Sequence, residues 1–274
     1  MEKKNVVWVD VETLSDGFSA FRMEQASDLA GKEITLYYKG GYTVAYTFVN
    51  EDTLSVQYTN GDEKEVVAAK YMAAKLRDGI FYVDYVWSCG HTKSVSTVID
   101  FNENIATTLC AQLPTEEEAK VSLYERYRNN MPMTSVKADW DHASVNTPFT
   151  AETKMHCKTK KLIGERIQFI YSEADAYEHV YLNENYYTWH CIKGVEAGLA
   201  DTEKCFYYDL GNDLIWFVWI EKTVPTVGSV VEDFEKMRSF GKVYGYKNGI
   251  EDEAVINTPA GSYASMLNTT TYTI

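Results

Sequence analysis

The sequence predicts a mainly β protein made of two copies of one small antiparallel unit, each copy a strand meander or a closed barrel. Two observations carry this prediction. The first is a pattern that occurs twice at a fixed spacing. Leu29, Gly31, Ile34 and Tyr38 return as Leu162, Gly164, Ile167 and Tyr171, Asn50-Glu51 as Asn183-Glu184, and Asp100-Phe101 as Asp233-Phe234, every pair 133 residues apart. Unrelated segments do not hold register through strands, turns and loops together, so the chain reads as an internal duplication. The second is a series of short alternating runs rich in β-branched and aromatic residues, drawing on 21 Tyr, 11 Phe and 6 Trp. Turn residues separate these runs, and no long helical pattern intervenes.

Residues 1–27 read as a leader, with one short helix expected around Phe18 to Ala30. The first unit spans 28–113 and opens with Ile34 to Tyr38, the turn Lys39-Gly40-Gly41 and Tyr42 to Phe48, a hairpin with its glycines in place. Thr53 to Tyr58, Gly79 to Trp87 and Ser94 to Asp100 continue as strands, and Asn60-Gly61 marks a further hairpin. A helix and connector occupy 114–160, where Thr115 and Glu118 form a capping box and Glu116 and Glu117 suit a helix N-terminus. The second unit, 161–247, carries strands at Arg166 to Tyr171, Ala176 to Leu182, Tyr186 to Ile192, Cys205 to Leu210, Leu214 to Lys222, Gly228 to Phe234 and Gly241 to Tyr246. The tail 248–274, rich in Thr, Asn and Ser, is expected to wrap the body as an extended segment.

The bulk numbers exclude several partner classes. A length of 274 residues with 45% hydrophobic and 24% charged residues supports two real cores. A net charge of −14 argues against nucleic acid and anionic membrane surfaces, which require clustered Lys and Arg. No apolar run approaches the roughly 18 residues of a membrane helix, and the start Met1-Glu2-Lys3-Lys4-Asn5-Val6-Val7-Trp8 has no stretch resembling a signal peptide. The 5 cysteines are scattered without a Cys-x-x-Cys, which reads as reduced thiols in a cytoplasmic protein. The oligomeric state is left open.

The second copy carries the unusual chemistry. In Tyr177-Glu178-His179-Val180-Tyr181 the period-2 alternation puts Tyr177, His179 and Tyr181 on one face, where the first copy has Val44, Tyr46 and Phe48. That exchange makes sense for a polar-tipped cavity, so the first unit is expected to be filled and structural and the second to hold the working pocket. Tyr187, Trp189 and Cys191 share a face of the next strand, with His190 on the other, and Phe217, Trp219 and Glu221 share a face later. A carboxylate on an aromatic face is costly to bury unless paired or neutral, and a raised pKa fits it for acid or base work. The alternative for Glu221 is a rim position paired with a lysine. His190-Cys191, His156-Cys157 and Cys89-Gly90-His91 lack recognised ligand spacing, and no phosphate loop, Gly-x-Ser-x-Gly or Walker pattern occurs. No metal and no cofactor are therefore expected.

Tyr177 to Asn185 followed by Tyr187-Thr188-Trp189-His190-Cys191 resembles the C-terminal domain of the MoaF family, as do Gly194-Val195-Glu196, Gly198 to Thr202, Val218-Trp219, Glu221-Lys222 and Lys236-Met237-Arg238. Leu29-Ala30-Gly31-Lys32 and Tyr82-Val83-Asp84 are similar to that family's N-terminal domain. The resemblance implies two tandem calycin-type barrels related to lipocalins. The family is labelled with molybdenum cofactor biosynthesis, although no motif for pterin or molybdenum chemistry is present. The second copy also resembles, more distantly, the bacterial phenolic acid decarboxylases, through Gly164, Phe169-Ile170-Tyr171, Tyr177-Glu178, Asn183, Ala197-Gly198-Leu199 and Trp219-Ile220-Glu221. In that family the glutamate is the catalytic acid, and two tyrosines and an arginine hold the substrate carboxylate. Here Glu221 and Tyr171 are kept, while Phe169 replaces a tyrosine and Leu199 the arginine. Loss of the guanidinium removes the bidentate carboxylate partner, so decarboxylation of a phenolic acid is not expected.

Three functions stay open at this level. One is a cofactor-independent lyase or isomerase acting on a small aromatic, hydrophobic or phenolic molecule. Its catalytic residues would be Glu221 as acid/base with Tyr171, Tyr177 and His179, and its ligand walls Phe169, Tyr181, Tyr187, Trp189, Leu199 and Trp219. The others are a non-catalytic carrier or sensor of such a molecule, and a scaffold for protein partners.

Overall fold

The computed structural model describes residues 8–89, 91–252 and 254–273; the sequence reading of the first seven residues falls outside them. Two compact units result, one formed by residues 23–112 and 138–157, the other by 1–22, 113–137 and 158–274. Each contains one closed antiparallel barrel.

In the chain, α1 (Val11–Phe18) precedes the first barrel, whose strands are β1 (Glu33–Tyr38), β2 (Thr43–Phe48), β3 (Thr53–Asn60), β4 (Glu63–Arg77), β5 (Ile80–Trp87), β6 (Lys93–Asp100), β7 (Ile105–Gln112) and β8 (Lys137–Val145). Neighbours in sequence pair throughout, and β8 pairs back onto β1 to close the ring. Between β7 and β8 lie two short helices, α2 (Glu116–Lys120) and α3 (Leu123–Arg128), both with complete capping boxes, Thr115 with Glu118 and Ser122 with Glu125. After the two-residue β9 (Cys157–Lys158), the second barrel uses β10 (Glu165–Ile170), β11 (Ala176–Tyr181), β12 (Tyr186–Lys193), β13 (Ala200–Gly211), β14 (Leu214–Ile220), β15 (Thr226–Asp233), β16 (Arg238–Tyr246) and β17 (Val255–Thr269). β17 joins β16 to β10, and β12 pairs with β13, so this ring also closes on eight strands, with β9 appended to β13.

The two rings share one register. Ile34↔Tyr46 across β1 and β2 returns as Ile167↔His179 across β10 and β11 (167 − 34 = 133). The turn devices return with it. Asn50 Oδ1 accepts the N–H groups of Asp52 and Thr53, and Asn183 Oδ1 those of Asn185 and Tyr186. Asp100 Oδ1 caps Asn102 and Glu103 as Asp233 Oδ1 caps Glu235 and Lys236. Gly31 and Gly164 both adopt positive φ, 76° and 91°, and donate to the carbonyls of Phe48 and Tyr181. The recurring residues are the ones that turn the chain and fix register, which is why they survive when the interiors diverge.

The leader, connector and tail depart from the sequence reading. The helix lies at Val11–Phe18 rather than Phe18 to Ala30, because Asp10 caps it by accepting from Thr13 N–H at 2.8 Å and Val11, Leu14, Ser15 and Phe18 form its inward stripe. The connector supplies β8, which closes the first barrel. The tail does not simply wrap the surface: Val255–Thr269 is a ring strand of the second barrel. Neither β8 nor β17 belongs to the repeated stretch, so neither carries the pattern that revealed the other strands.

The two left-handed glycines should respond differently to alanine. A Cβ at Gly31 meets nothing within 4 Å, whereas at Gly164 it falls 2.2 Å from the Thr270 carbonyl oxygen. Gly31→Ala should cost about 1 kcal/mol of conformational strain, and Gly164→Ala clearly more, read as the loss in urea midpoint of each variant.

Candidate functional site

The interiors of the two rings can be compared position by position, because the registers match. Val44, Leu54 and Val56 of the first barrel correspond to Tyr177, Tyr187 and Trp189 of the second. Val83 pairs with Thr97 as Phe217 does with Val230, and Tyr85 with Val95 as Trp219 does with Gly228. Five of these seven exchanges put a larger ring into a barrel of the same strand number, and interior width follows strand number. The expectation of a filled first barrel and an open second one is overturned on this ground. The first barrel holds a cavity of about 450 Å³, while in the second the chamber around Tyr171, His179 and Glu221 is only about 20 Å³ and a separate pocket at Leu162, Ile215 and Phe234 about 170 Å³.

That small chamber is where the chemistry gathers. Tyr171, Tyr177, His179, Tyr187, Trp189, Trp219 and Glu221 all line it, as the strand alternation indicated. Phe169 and Tyr181 lie in the core around it, Phe169 with its ring 4.7 Å from His179 and Tyr181 donating to Glu232. Leu199 packs on the edge of the core cluster and is not among the residues of the chamber wall. His190 points outward and meets Glu178 at 3.1 Å, as alternation requires.

Trp219 is seated by a gap in the neighbouring strand. A Cβ on Gly228 would fall 2.0 Å from the indole, so the ring lies where only glycine leaves room. From there Trp219 Nε1–H donates to Glu221 Oε1 at 2.8 Å. Glu221 follows directly on β14, and its backbone N–H and C=O are held by Thr226 and Thr134. The residue keeps part of its surface exposed, yet the carboxyl is turned to the chamber, and burial raises its pKa to about 7 despite the Trp219 bond. Burial also lowers His179 to about 3, so its imidazole is neutral. Its ring is enclosed by Tyr187 at 5.1 Å, Phe217 at 5.7 Å and Trp219 at 5.9 Å.

Two groups of the chamber stand out for what they lack. Tyr187 is 0% and Trp189 4% exposed, and neither the Tyr187 hydroxyl nor Trp189 Nε1 has a hydrogen-bond partner among the described residues. An unmet buried donor carries a desolvation penalty of about 1–3 kcal/mol, which fold stability does not reward.

The sequence reading missed the lid and a second acid. Leu14 and Phe18 of α1 complete the chamber wall. Phe18 stacks on Tyr171 at 4.2 Å and meets Tyr177 edge-on at 5.3 Å, while Trp8 meets Trp189 edge-on at 5.5 Å. A Cβ on Gly245 would come 2.5 Å from Val11, so the helix sits directly on the strand. Glu196 also lines the chamber, with its pKa raised by burial, and accepts from Tyr177 O–H at 3.2 Å and from the Val9 N–H. Amphipathic spacing over Val11 to Phe18 was the available signal for the lid; nothing in the local pattern marks Glu196. Among the described residues no cluster of three or more His, Cys, Asp or Glu side chains could hold a metal ion. No helix among them is long and apolar enough to cross a membrane.

Fold and site together define a protein of two lipocalin-like eight-stranded rings, one with a large cavity and one with a small chamber lined by acids. A family model for the MoaF N-terminal domain matches residues 6–115 and one for the MoaF C-terminal domain matches 156–270. Protein MoaF of Klebsiella aerogenes is 34% identical over 266 residues, covering 96% of this chain and 97% of its own. The chain belongs to the MoaF family. A solved chain from Burkholderia vietnamiensis, described provisionally as a beta-lactamase, is 10% identical with a TM-score of 0.34, covering 40% of this chain and 100% of its own.

The raised acids make a prediction about pH. Glu221 and the buried Glu232 have folded pKa values of about 7 and about 8, against 4.5 ordinarily, both through burial. A carboxyl that holds its proton more tightly when folded favours the fold below its unfolded value and loses that contribution as pH rises through the folded one. The melting temperature of the wild type relative to Glu232→Gln should therefore fall between about pH 4.5 and pH 8. A difference that stays flat across this window would show Glu232 to be ionised throughout.

Proposed function

We propose that this MoaF-family chain takes a single-ring aromatic or phenolic molecule into the second-barrel chamber in place of Phe18, and moves a proton on it with Glu221 without a cofactor. The reading rests on one arrangement: a carboxyl with a pKa near 7 faces the same enclosed space as the unpartnered Tyr187 hydroxyl and Trp189 N–H. Phe18, stacked at 4.2 Å on Tyr171, supports the ring-sized ligand, since it occupies the place such a ligand would take.

The chemistry suited to these groups is an allylic or keto–enol shift, or a related lyase step. Glu221 as carboxylate removes a proton from carbon, and as the resulting acid returns it to the new carbon. Negative charge that accumulates on a phenolic or carbonyl oxygen meanwhile accepts hydrogen bonds from Tyr187 and Trp189. A pKa near neutrality keeps both forms of Glu221 populated. Neutral His179, Tyr171 and Tyr177 position the ring, and Tyr177 stays protonated because burial and Glu196 push its phenol up.

Solvent-deuterium incorporation into a panel of single-ring phenols with conjugated carbonyl or alkenyl side chains tests this. Glu221→Gln should lower exchange about 100-fold or more while binding persists. Phe18→Ala, by removing the internal competitor, should tighten binding several-fold. Exchange that is indifferent to Glu221→Gln would remove it from the chemistry. Binding without exchange in the wild type would leave a carrier, the reading that the larger first-barrel cavity favours.

A further inference from the structure

We infer that the first barrel is a second, separate ligand site, built for a flat neutral molecule of two rings carrying one hydroxyl or carbonyl oxygen. The inference stands on the first barrel alone and does not depend on the chemistry of the second. Its cavity of about 450 Å³ lies in the range that encloses small organic ligands, about 300–1,000 Å³.

The walls select the shape. Tyr38 and Tyr42 lie parallel at 4.5 Å with 11° between planes, and Tyr58 continues the row 5.3 Å from Tyr42. Tyr38 and Tyr42 cover each other's facing sides and Tyr58 is tilted by 41°, so the row offers ring edges and an outer ring face, which a flat ligand can meet edge-on or in offset-stacked geometry. Val44 and Val95 add apolar surface, and Trp87 adds a further ring.

The polar end is a buried chain of hydroxyls. Tyr38 bonds Thr108 at 2.7 Å, Thr108 bonds Thr97 at 2.9 Å, Thr97 bonds Tyr46 at 3.1 Å, and Tyr46 meets Tyr85 at 3.4 Å. Tyr38, Tyr85 and Thr108 reach the cavity wall. Hydroxyls rotate and can each donate or accept, so this chain can serve either a ligand hydroxyl or a carbonyl. Burial raises Tyr38, Tyr46 and Tyr85, keeping them protonated. The network is not a requirement of the fold, because the second barrel closes without it. Thr97 pairs with Thr108 where Val230 pairs with Gly241, and His179 and Trp219 stand for Tyr46 and Tyr85. A hydroxyl chain that one copy retains beside an open cavity and the other dispenses with is a ligand-facing feature.

Charge selects against ions. Among the residues lining the cavity the charged side chains are the exposed Glu65 and the half-buried Lys93, of opposite sign. The site therefore presents no single-sign field to attract an anion or a cation.

2-Naphthol, two fused rings with one hydroxyl, is the probe. Titrated calorimetrically into the full-length protein, it should show a saturable site. Thr108→Val keeps the shape and removes the hydroxyl, and should weaken that site about three- to ten-fold. Val44→Phe should fill the cavity and weaken it at least ten-fold. A readout in the wild type covers a variant that fails to fold: Cys110 lines the cavity, whereas Cys89 and Cys157 are exposed elsewhere. Saturating 2-naphthol should slow N-ethylmaleimide modification of Cys110 several-fold, mapped by peptide mass, and leave Cys89 and Cys157 unchanged. Absence of saturable binding overturns the inference, as does a site that Val44→Phe leaves unchanged. Binding that leaves Cys110 unprotected overturns it as well.

Discussion

The constraint on which everything else here depends is the fixed bore of an eight-stranded ring. Strand number and tilt set how much room lies inside, and eight strands enclose just enough for side chains alone or for one small ligand. Whether such a barrel is a scaffold or a container is then decided by the sizes of a few inward residues. In this chain the two outcomes occur side by side on the same register. Val44 stands at the wall of the first cavity, while Tyr177, Trp189 and Phe217 put rings where the first barrel has valines. Some exchanges run the other way, Val95 to Gly228 among them, and that one admits the Trp219 ring instead of opening a void.

Filling a barrel with aromatic rings also changes its electrostatics. A carboxyl placed among them is stripped of water, and the ring donors it regains, Trp219 for Glu221, Tyr177 for Glu196 and Tyr181 for Glu232, offset only part of that loss. Glu196, Glu221 and Glu232 all show the result, each with its pKa raised by burial. The first barrel solves the same problem with neutral hydroxyls that satisfy one another. Divergence after duplication thus separated a poised-acid interior from a self-satisfied hydroxyl interior, and the two invite different ligands.

Much of this was legible in the sequence, and the reasons are local. The constant spacing survives in residues that bend the chain, Gly31 and Gly164 or Asn50 and Asn183, because turns tolerate little substitution. Strand alternation put Tyr177, His179 and Glu221 toward one space because a pleat admits no other arrangement. What was not legible is what depends on distance through the chain. β8 and β17 lie outside the repeat, so nothing local marks them as the strands that close each ring. The exchange of Val44 for Tyr177 was visible, but its reading as a pocket rather than a plug depended on ring packing that a single strand does not reveal. The helix that covers the chamber was expected one helix-length too late, past the Asp10 cap that starts it.

The placement of α1 and β17 has a consequence for biosynthesis. The second barrel needs Val11–Phe18 at its mouth and Val255–Thr269 in its wall, segments from opposite ends of the described chain. On the ribosome the helix emerges first and must wait, unpartnered, while the first barrel is made and can close on β8. Only after β17 has emerged can the second ring shut and the helix find its seat. The first barrel is therefore able to close before the acid-lined one, whose last strand is made some 110 residues later (255 − 145 = 110).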